Sequence, residues 1–216
     1  EGVVQNRYHR EDVLKHTLRV CDTAPRDPLL RLAALLHDVG KPTTAAPHPE
    51  RAGEYRFHGH DREGARLVEA IVRRLRLSGR ERRRVTHLVA HHNIPLSGWS
   101  DAGLRRLIRR VEAEHLDDLL ALREADLRGR DSELGPEEPL AQLAVLRRRL
   151  ERIADSGAAL TIRDLAVDGR RVMARLGIPP GPRVGQILQQ LLERVLEDPS
   201  LNDEPTLEAM IEDRKS

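Results

Sequence analysis

Leu35-Leu36-His37-Asp38-Val39-Gly40-Lys41-Pro42 is the stretch that most constrains what this chain can become. An apolar run (Leu29, Leu30, Leu32, Ala33, Ala34, Leu35, Leu36) with helical spacing leads straight into adjacent His and Asp, then meets Gly and Pro. Gly40 suits a left-handed helix cap, and Pro42 cannot continue the helix. Leu30, Ala33, Ala34 and His37 fall at i, i+3, i+4 and i+7, so His37 points where the apolar face points. An ionisable pair at the buried end of a core helix is costly unless something neutralises it. A metal ion does so most economically, and the rest of the chain can be searched for further ligands.

The composition says what kind of core is available. Of 216 residues, 39% are hydrophobic but only 2% aromatic, so the interior has to be built from Leu, Ala, Val and Ile. With 33% charged residues and no alternating apolar runs, the reading is an all-α fold with a charged surface. A net charge of +2 is compatible with RNA contact without demanding it. The single cysteine, Cys21, excludes an internal disulfide framework and suits a reducing, cytoplasmic setting. There is no run of 18 apolar residues and no signal-peptide pattern, so no membrane partner is expected.

Along the chain, inward-facing polar residues recur. Val13, Thr17 and Val20 define a helical stripe that includes His16. Residues 42 to 59 are too rich in Pro and Gly for a long helix, with Glu54 to Phe57 extended. His60 heads a helix whose apolar face is Gly64, Leu67, Val68 and Ile71, with Asp61 as its cap. Ser78-Gly79-Arg80-Glu81 is a capping-box start for a helix in which Val85, Leu88, Val89 and His92 share one face. His91 lies on an adjacent face with His87, as the alternate to His92 or a companion beside it. Ser100-Asp101 starts another helix, and a further one over about 114–128 places Leu119, Leu122 and Asp126 together. The expected division is a metal-binding helical domain over 1–130, an acidic turn-rich linker over 131–138, and a smaller helical region over 139–216.

A lone inward histidine is ordinarily just a hydrogen-bonded core residue. Here His16, His37, Asp38, His60, His92 and Asp126 come from five segments, each inward on its own period. Six such burials are hard to explain separately. Mixed imidazole and carboxylate donors suit Mn, Fe, Co, Ni or Zn better than Mg. Six ligands exceed one tetrahedral zinc but suit two ions about 3.5–4 Å apart that share a carboxylate. One ion takes His16, His37, Asp38 and Asp126, and the other takes Asp38 as bridge with His60 and His92; a looser second set leaves one ion.

His16, His37-Asp38 and Asp126, in that order, resemble the defining ligands of the HD-domain metal-dependent phosphohydrolases. His60 and His92 look like the additional ligands of that family's two-metal members. A closer resemblance is to the HD region of bacterial CCA-adding tRNA nucleotidyltransferases and their poly(A) polymerase relatives. It rests on His37 to Pro42, on Phe57-His58-Gly59-His60-Asp61 with Gly64-Ala65, and on Gly177-Ile178-Pro179-Pro180-Gly181-Pro182 with Gly185 in the tail. The resemblance implies an HD helical bundle followed by a C-terminal region that helps bind tRNA. It also implies attack by a metal-bound hydroxide on a phosphate ester, such as a 2′,3′-cyclic or 2′-phosphate. The strand-rich nucleotidyltransferase head, with its Gly-rich loop and paired carboxylates, has no counterpart in this sequence. CCA addition by this chain alone is therefore not expected, and it reads as a free-standing relative or the C-terminal part of a longer enzyme.

Roles beyond ligation follow for a few residues. Asp38 is the catalytic bridge. Lys41, one of three lysines with Lys15 and Lys215, is expected to face a phosphate or a carboxylate. Arg130 is expected to clamp a substrate phosphate. His58 and His91 flank the ligands and read first as surface or loop residues, with proton donation to the leaving oxygen as the alternative. The arginine clusters (73–74, 82–84, 105–106, 109–110, 147–149) read either as an ion-paired surface or as phosphate contacts along tRNA or another RNA. The expected activity is that of a metal-dependent phosphatase or phosphodiesterase on nucleotide or RNA-end phosphates. The competing readings are an RNA-binding body with a structural pocket and a regulatory nucleotide-binding module.

Overall fold

A computed structural model describes residues 12–51, 53–130 and 135–213. The architecture is all-α apart from one two-residue hairpin. No helix among the described residues is long and apolar enough to cross a membrane.

The described residues fall into two compact units. The first takes 12–51, 53–97, 114–130 and 135–147. In it α1 (Val13–Thr23) is capped by Asp12, whose carboxylate accepts from the Lys15 amide. Asp27 caps α2 (Pro28–Leu36) in the same way, accepting from Leu30 N at 2.7 Å, with Pro28 in the first turn where its missing N–H costs nothing. The short helix α3 (Lys41–Thr44) precedes strands β1 (Ala46–Pro47) and β2 (Tyr55–Arg56), which pair antiparallel with Ala46 opposite Arg56. Then follow α4 (His60–Arg74) and α5 (Gly79–His91) as a two-helix hairpin. The Ser78–Glu81 capping box that starts α5 is formed reciprocally. Helix α2 packs on α1, α5 and α7 (Leu116–Arg128), the last preceded by one 3-10 turn over Ala113–His115. The core is the aliphatic one that the composition requires: Val20, Leu30, Val68, Val85, Leu88, Val89, Leu119 and Leu122 are almost fully buried. Each such side chain contributes about 1.5–3 kcal/mol by leaving water.

The second unit takes 98–113 and 148–213. Helix α6 (Asp101–Val111), capped by Ser100, packs on α10 (Pro182–Glu197). Helix α8 (Glu137–Asp155) runs from the first unit into the second, and α9 (Gly169–Leu176) packs on α10 and on α11 (Glu204–Glu212). Its core includes Val172, Ile187, Leu191, Leu192, Val195, Leu207 and Ile211. By sequence position α6 lies in the expected 1–130 domain, yet its Leu104, Leu107 and Ile108 are buried in this second unit. Part of the expected linker, residues 131–134, lies outside the described residues.

Two local expectations are corrected. Gly40 is right-handed (φ −79°, ψ −13°), not a left-handed cap. What Gly40 provides is space: a Cβ there would lie 2.2 Å from the His60 carbonyl oxygen and 2.6 Å from Gly64 N. The start of α4 can therefore press against the turn after His37-Asp38. Asp61 is not the cap of α4; the N-cap position is Gly59, at φ 75°, and Asp61 lies inside the first turn.

Candidate metal centre

His16 comes from the middle of α1, His37-Asp38 from the end of α2, and His60 from the start of α4. His92 caps the end of α5, and Asp126 lies in the last turn of α7. The structure brings all six together. His16, His37, Asp38, His92 and Asp126 are buried, and His60 is nearly so.

Each histidine is oriented by its second ring nitrogen. His37 Nδ1 lies 2.7 Å from the Ala34 carbonyl, His60 Nδ1 2.7 Å from Phe57 O, His92 Nδ1 2.8 Å from Val89 O, and His16 Nδ1 3.3 Å from Gly129 O. A carbonyl oxygen only accepts, so in all four rings Nδ1 carries the hydrogen and donates. In the neutral ring, Nε2 is then left as a bare lone pair turned toward the centre, the arrangement in which imidazoles bind metals. Three of these acceptors are the carbonyl three residues upstream, so helix-end backbone geometry sets the tautomer locally.

Asp38 stands between two sets. Its Oδ2 is 3.1 Å from His37 Nε2 and 3.6 Å from His16 Nε2. Its Oδ1 is 3.5 Å from His60 Nε2 and 3.8 Å from His92 Nε2. Ligand atoms of His16, His37 and Asp38 lie within 4.8 Å of one another, and so do those of Asp38, His60 and His92. Asp126 Oδ1 joins the first set, 3.1 Å from His16 Nε2 and 3.9 Å from His37 Nε2. His60 Nε2 and His92 Nε2 are only 3.2 Å apart. With both hydrogens on Nδ1, that contact sets lone pair against lone pair, and a cation between or beside them relieves it. The donor set therefore fits divalent ions in number, element type and orientation.

The electrostatics favour the binding forms of Asp38, Asp126 and His92, whereas His37 is drawn toward its protonated form. Burial opposes the charge on Asp38, but His37, Lys41 and His92 outweigh it and hold the carboxyl well below the ordinary carboxylate value. Burial likewise opposes Asp126, whose carboxyl is held well below its ordinary value by Arg130, His16 and Arg123. Burial, with His37 nearby, pushes His92 down to about 3, so it is neutral near pH 7. Burial would also lower His37, but Asp38 beside it prevails and raises it.

Lys41 lies on a carboxylate, one of its two expected partners, whereas Arg130, expected on a substrate phosphate, is paired with Asp126. Lys41 Nζ is 2.6 Å from Asp38 Oδ2 and 5.5 Å from the Phe57 ring centre; Arg130 is 2.9 Å from Asp126 Oδ2. Arg123 went unnoticed in the sequence. It is 7% exposed and grips the same Asp126 Oδ2 at 2.5 Å. Its position three residues before Asp126 on one helix was the available signal. His91 does not face the cluster: its ring lies 4.5 Å from His87, which lies 4.8 Å from His115. The centre opens into a cavity of about 420 Å³ lined also by Arg51, Tyr55, Arg56 and His58 on the β1–β2 side.

The HD domain family matches residues 7–144. The A-adding tRNA nucleotidyltransferase of Deinococcus radiodurans is 39% identical over 202 residues, covering 89% of this chain and 44% of that protein. The CC-adding tRNA nucleotidyltransferase of Thermus thermophilus is 38% identical over 197 residues, covering 89% and 43%. A multifunctional CCA protein of Acidovorax is 36% identical over 200 residues, covering 87% and 43%. The chain thus spans less than half the length of these relatives. No solved structure matches it.

Proposed function

The chain belongs to the HD-domain family, and from that premise we propose that it is a metal-dependent phosphohydrolase of nucleotide or RNA-end phosphates, with 2′,3′-cyclic and 2′-phosphates as the substrate class. The observation that carries this reading is the placement of Asp38, one oxygen toward each of two histidine pairs whose Nε2 lone pairs all converge. His16, His37, Asp38 and Asp126 would hold one divalent ion; Asp38, His60 and His92 would hold a second. Bound there, Mn, Fe, Co, Ni or Zn supplies Lewis acidity toward phosphoryl oxygens and makes water nucleophilic near neutral pH.

The protein's own groups do the rest. The four Nδ1 hydrogen bonds keep the donors from rotating away. Lys41 steadies the Asp38 carboxylate, and Arg123 and Arg130 hold one oxygen of Asp126 so that the other stays directed at His16. Arg51 and Arg56 line the cavity and give an anionic phosphate its approach, with Arg130 able to share its guanidinium with a phosphoryl oxygen. His58, which lines the same cavity, is assigned as proton donor to the leaving oxygen. His91 is not, because its ring meets His87 edge-on, away from the cluster.

A second reading has an observation of its own. Lys41, Arg123 and Arg130 already balance Asp38 and Asp126, as they would in the structural pocket of a tRNA-binding body. The relatives' names make tRNA the RNA to try first, with tRNA processing as the setting. Purified protein loaded in turn with Mn, Ni, Co and Mg, incubated with 2′,3′-cyclic AMP, 2′-AMP and a chromogenic phosphodiester, separates the two. Turnover that Asp38→Ala abolishes supports the hydrolase; no turnover with any metal, alongside tight salt-sensitive tRNA binding, supports the structural pocket.

A further inference from the structure

The arginine clusters are not equivalent once their partners are known. Arg105 donates to the Leu196 and Glu197 carbonyls, Arg106 and Arg109 pair with Glu193, and Arg149 pairs with Asp101. Arg147 reaches Glu124 at 3.8 Å. These arginines are engaged within their own units; of the same clusters Arg110 and Arg148 lack an ion-pair partner among the described residues, each a single exposed guanidinium beside paired ones. The turn between α4 and α5 is different. Seven arginines fall between positions 73 and 84, with Glu81 as the one acidic residue of that stretch. Arg73 pairs with Glu69, and Arg84 with Asp27 and Asp118. Glu81 is spent on the Ser78 amide in the capping box. The guanidinium groups of Arg74, Arg76, Arg80, Arg82 and Arg83 have no ion-pair partner among the described residues, and all but Arg82 are exposed.

We propose that this corner is a binding surface for the phosphate backbone of an RNA, read by charge and not by base. Three features select that partner. All five free cations are arginine, whose planar fork suits phosphate better than a point charge does. They surround little apolar surface: Leu75, 55% exposed, is the large aliphatic side chain there, too little to seat the corner in a lipid interface. The third feature is alignment. Helix α4 runs from His60 to this corner over 15 residues, and α5 returns from it to His92 over 13. At 1.5 Å per residue the corner stands roughly 20 Å from the candidate metal centre. That distance spans about six phosphates of a stacked strand. An RNA whose end enters the cavity can lay its backbone on the corner. The backbone surface stands on charge alone, whereas its link to the cavity rests on the phosphohydrolase reading.

The test is the binding of a fluorescent tRNA and a labelled RNA hairpin to the full chain across a salt series. The corner variant is Arg76→Gln/Arg80→Gln/Arg83→Gln. Its control, Arg163→Gln/Arg170→Gln/Arg183→Gln, has the same charge change on exposed arginines of the second unit. Losing three phosphate contacts should weaken binding about a hundredfold near 0.1 M salt and make the log–log salt slope shallower by about two. The control should change little, and circular dichroism should show both variants folded. Turnover of 2′,3′-cyclic AMP by the metal-loaded corner variant should equal that of the parent. If the parent has no such turnover, the hydrolase reading fails while the binding arm still judges the corner. Unchanged RNA binding in the corner variant, equal loss in both variants, or a corner that governs binding to phosphatidylserine vesicles in place of RNA overturns the proposal.

Discussion

At the scale of single residues the first unit rests on a few buried charges, each paired with an opposite charge at 2.5–2.9 Å. Asp126 is the clearest example: Arg123 and Arg130 both donate to Oδ2, while Oδ1 meets His16. Replacing Arg123 by Met removes one of two cations from a buried carboxylate. It should lower the unfolding free energy by about 1–3 kcal/mol in urea titration. Arg130 still holds Oδ2 in that variant and Oδ1 stays directed at His16, so the Mn stoichiometry in calorimetry should match the parent's. Gly40 is a residue of another kind, set by space. Gly40→Ala forces its methyl against the His60 carbonyl and Gly64 N. A loss of about 3 kcal/mol is expected, together with weaker metal retention because His60 must move away from Asp38.

At the scale of elements, caps decide where helices begin, and one of them gives a pH signature. Burial opposes the charge of Asp27, but the Leu30 amide and Arg84 outweigh it and hold its carboxyl below the ordinary range. A carboxyl depressed in the folded state stabilises above its unfolded pKa, about 3.9, and loses that contribution as pH falls through the lower folded value. Asp27→Ala should therefore cost about 1 kcal/mol at pH 7. The gap between the two proteins should narrow as the pH is taken below 4, which urea unfolding at both pH values measures. The starts of α5 and α6 were legible in Ser78–Glu81 and Ser100-Asp101, since capping is a local chemistry of three or four residues. Helix α11 was not foreseen: its Leu207 and Ile211 make a narrow stripe that becomes a buried face only against α9 and α10.

For the whole molecule, the metal centre joins α1, α2, α4, α5 and α7, so an ion bound there links most of the first unit. A divalent ion that binds only the folded chain stabilises it by mass action, about 2.7 kcal/mol at a hundredfold excess over its dissociation constant. Addition of Mn or Ni should raise the thermal midpoint of the parent and leave that of Asp38→Ala unmoved; equal shifts in both would place the ion elsewhere. The helical class, the aliphatic core and the inward register of His16, His37, His60, His92 and Asp126 were settled by the sequence. They follow from periodicity, composition and caps, all of which act over one or two helical turns. Only the tertiary structure decided which oxygen of Asp38 faces which histidines, that Arg123 shares Asp126, that α6 belongs with the C-terminal helices, and which arginines remain unpaired. Those facts depend on contacts between segments tens of residues apart, and a one-dimensional pattern records which face a side chain takes without recording what packs against it.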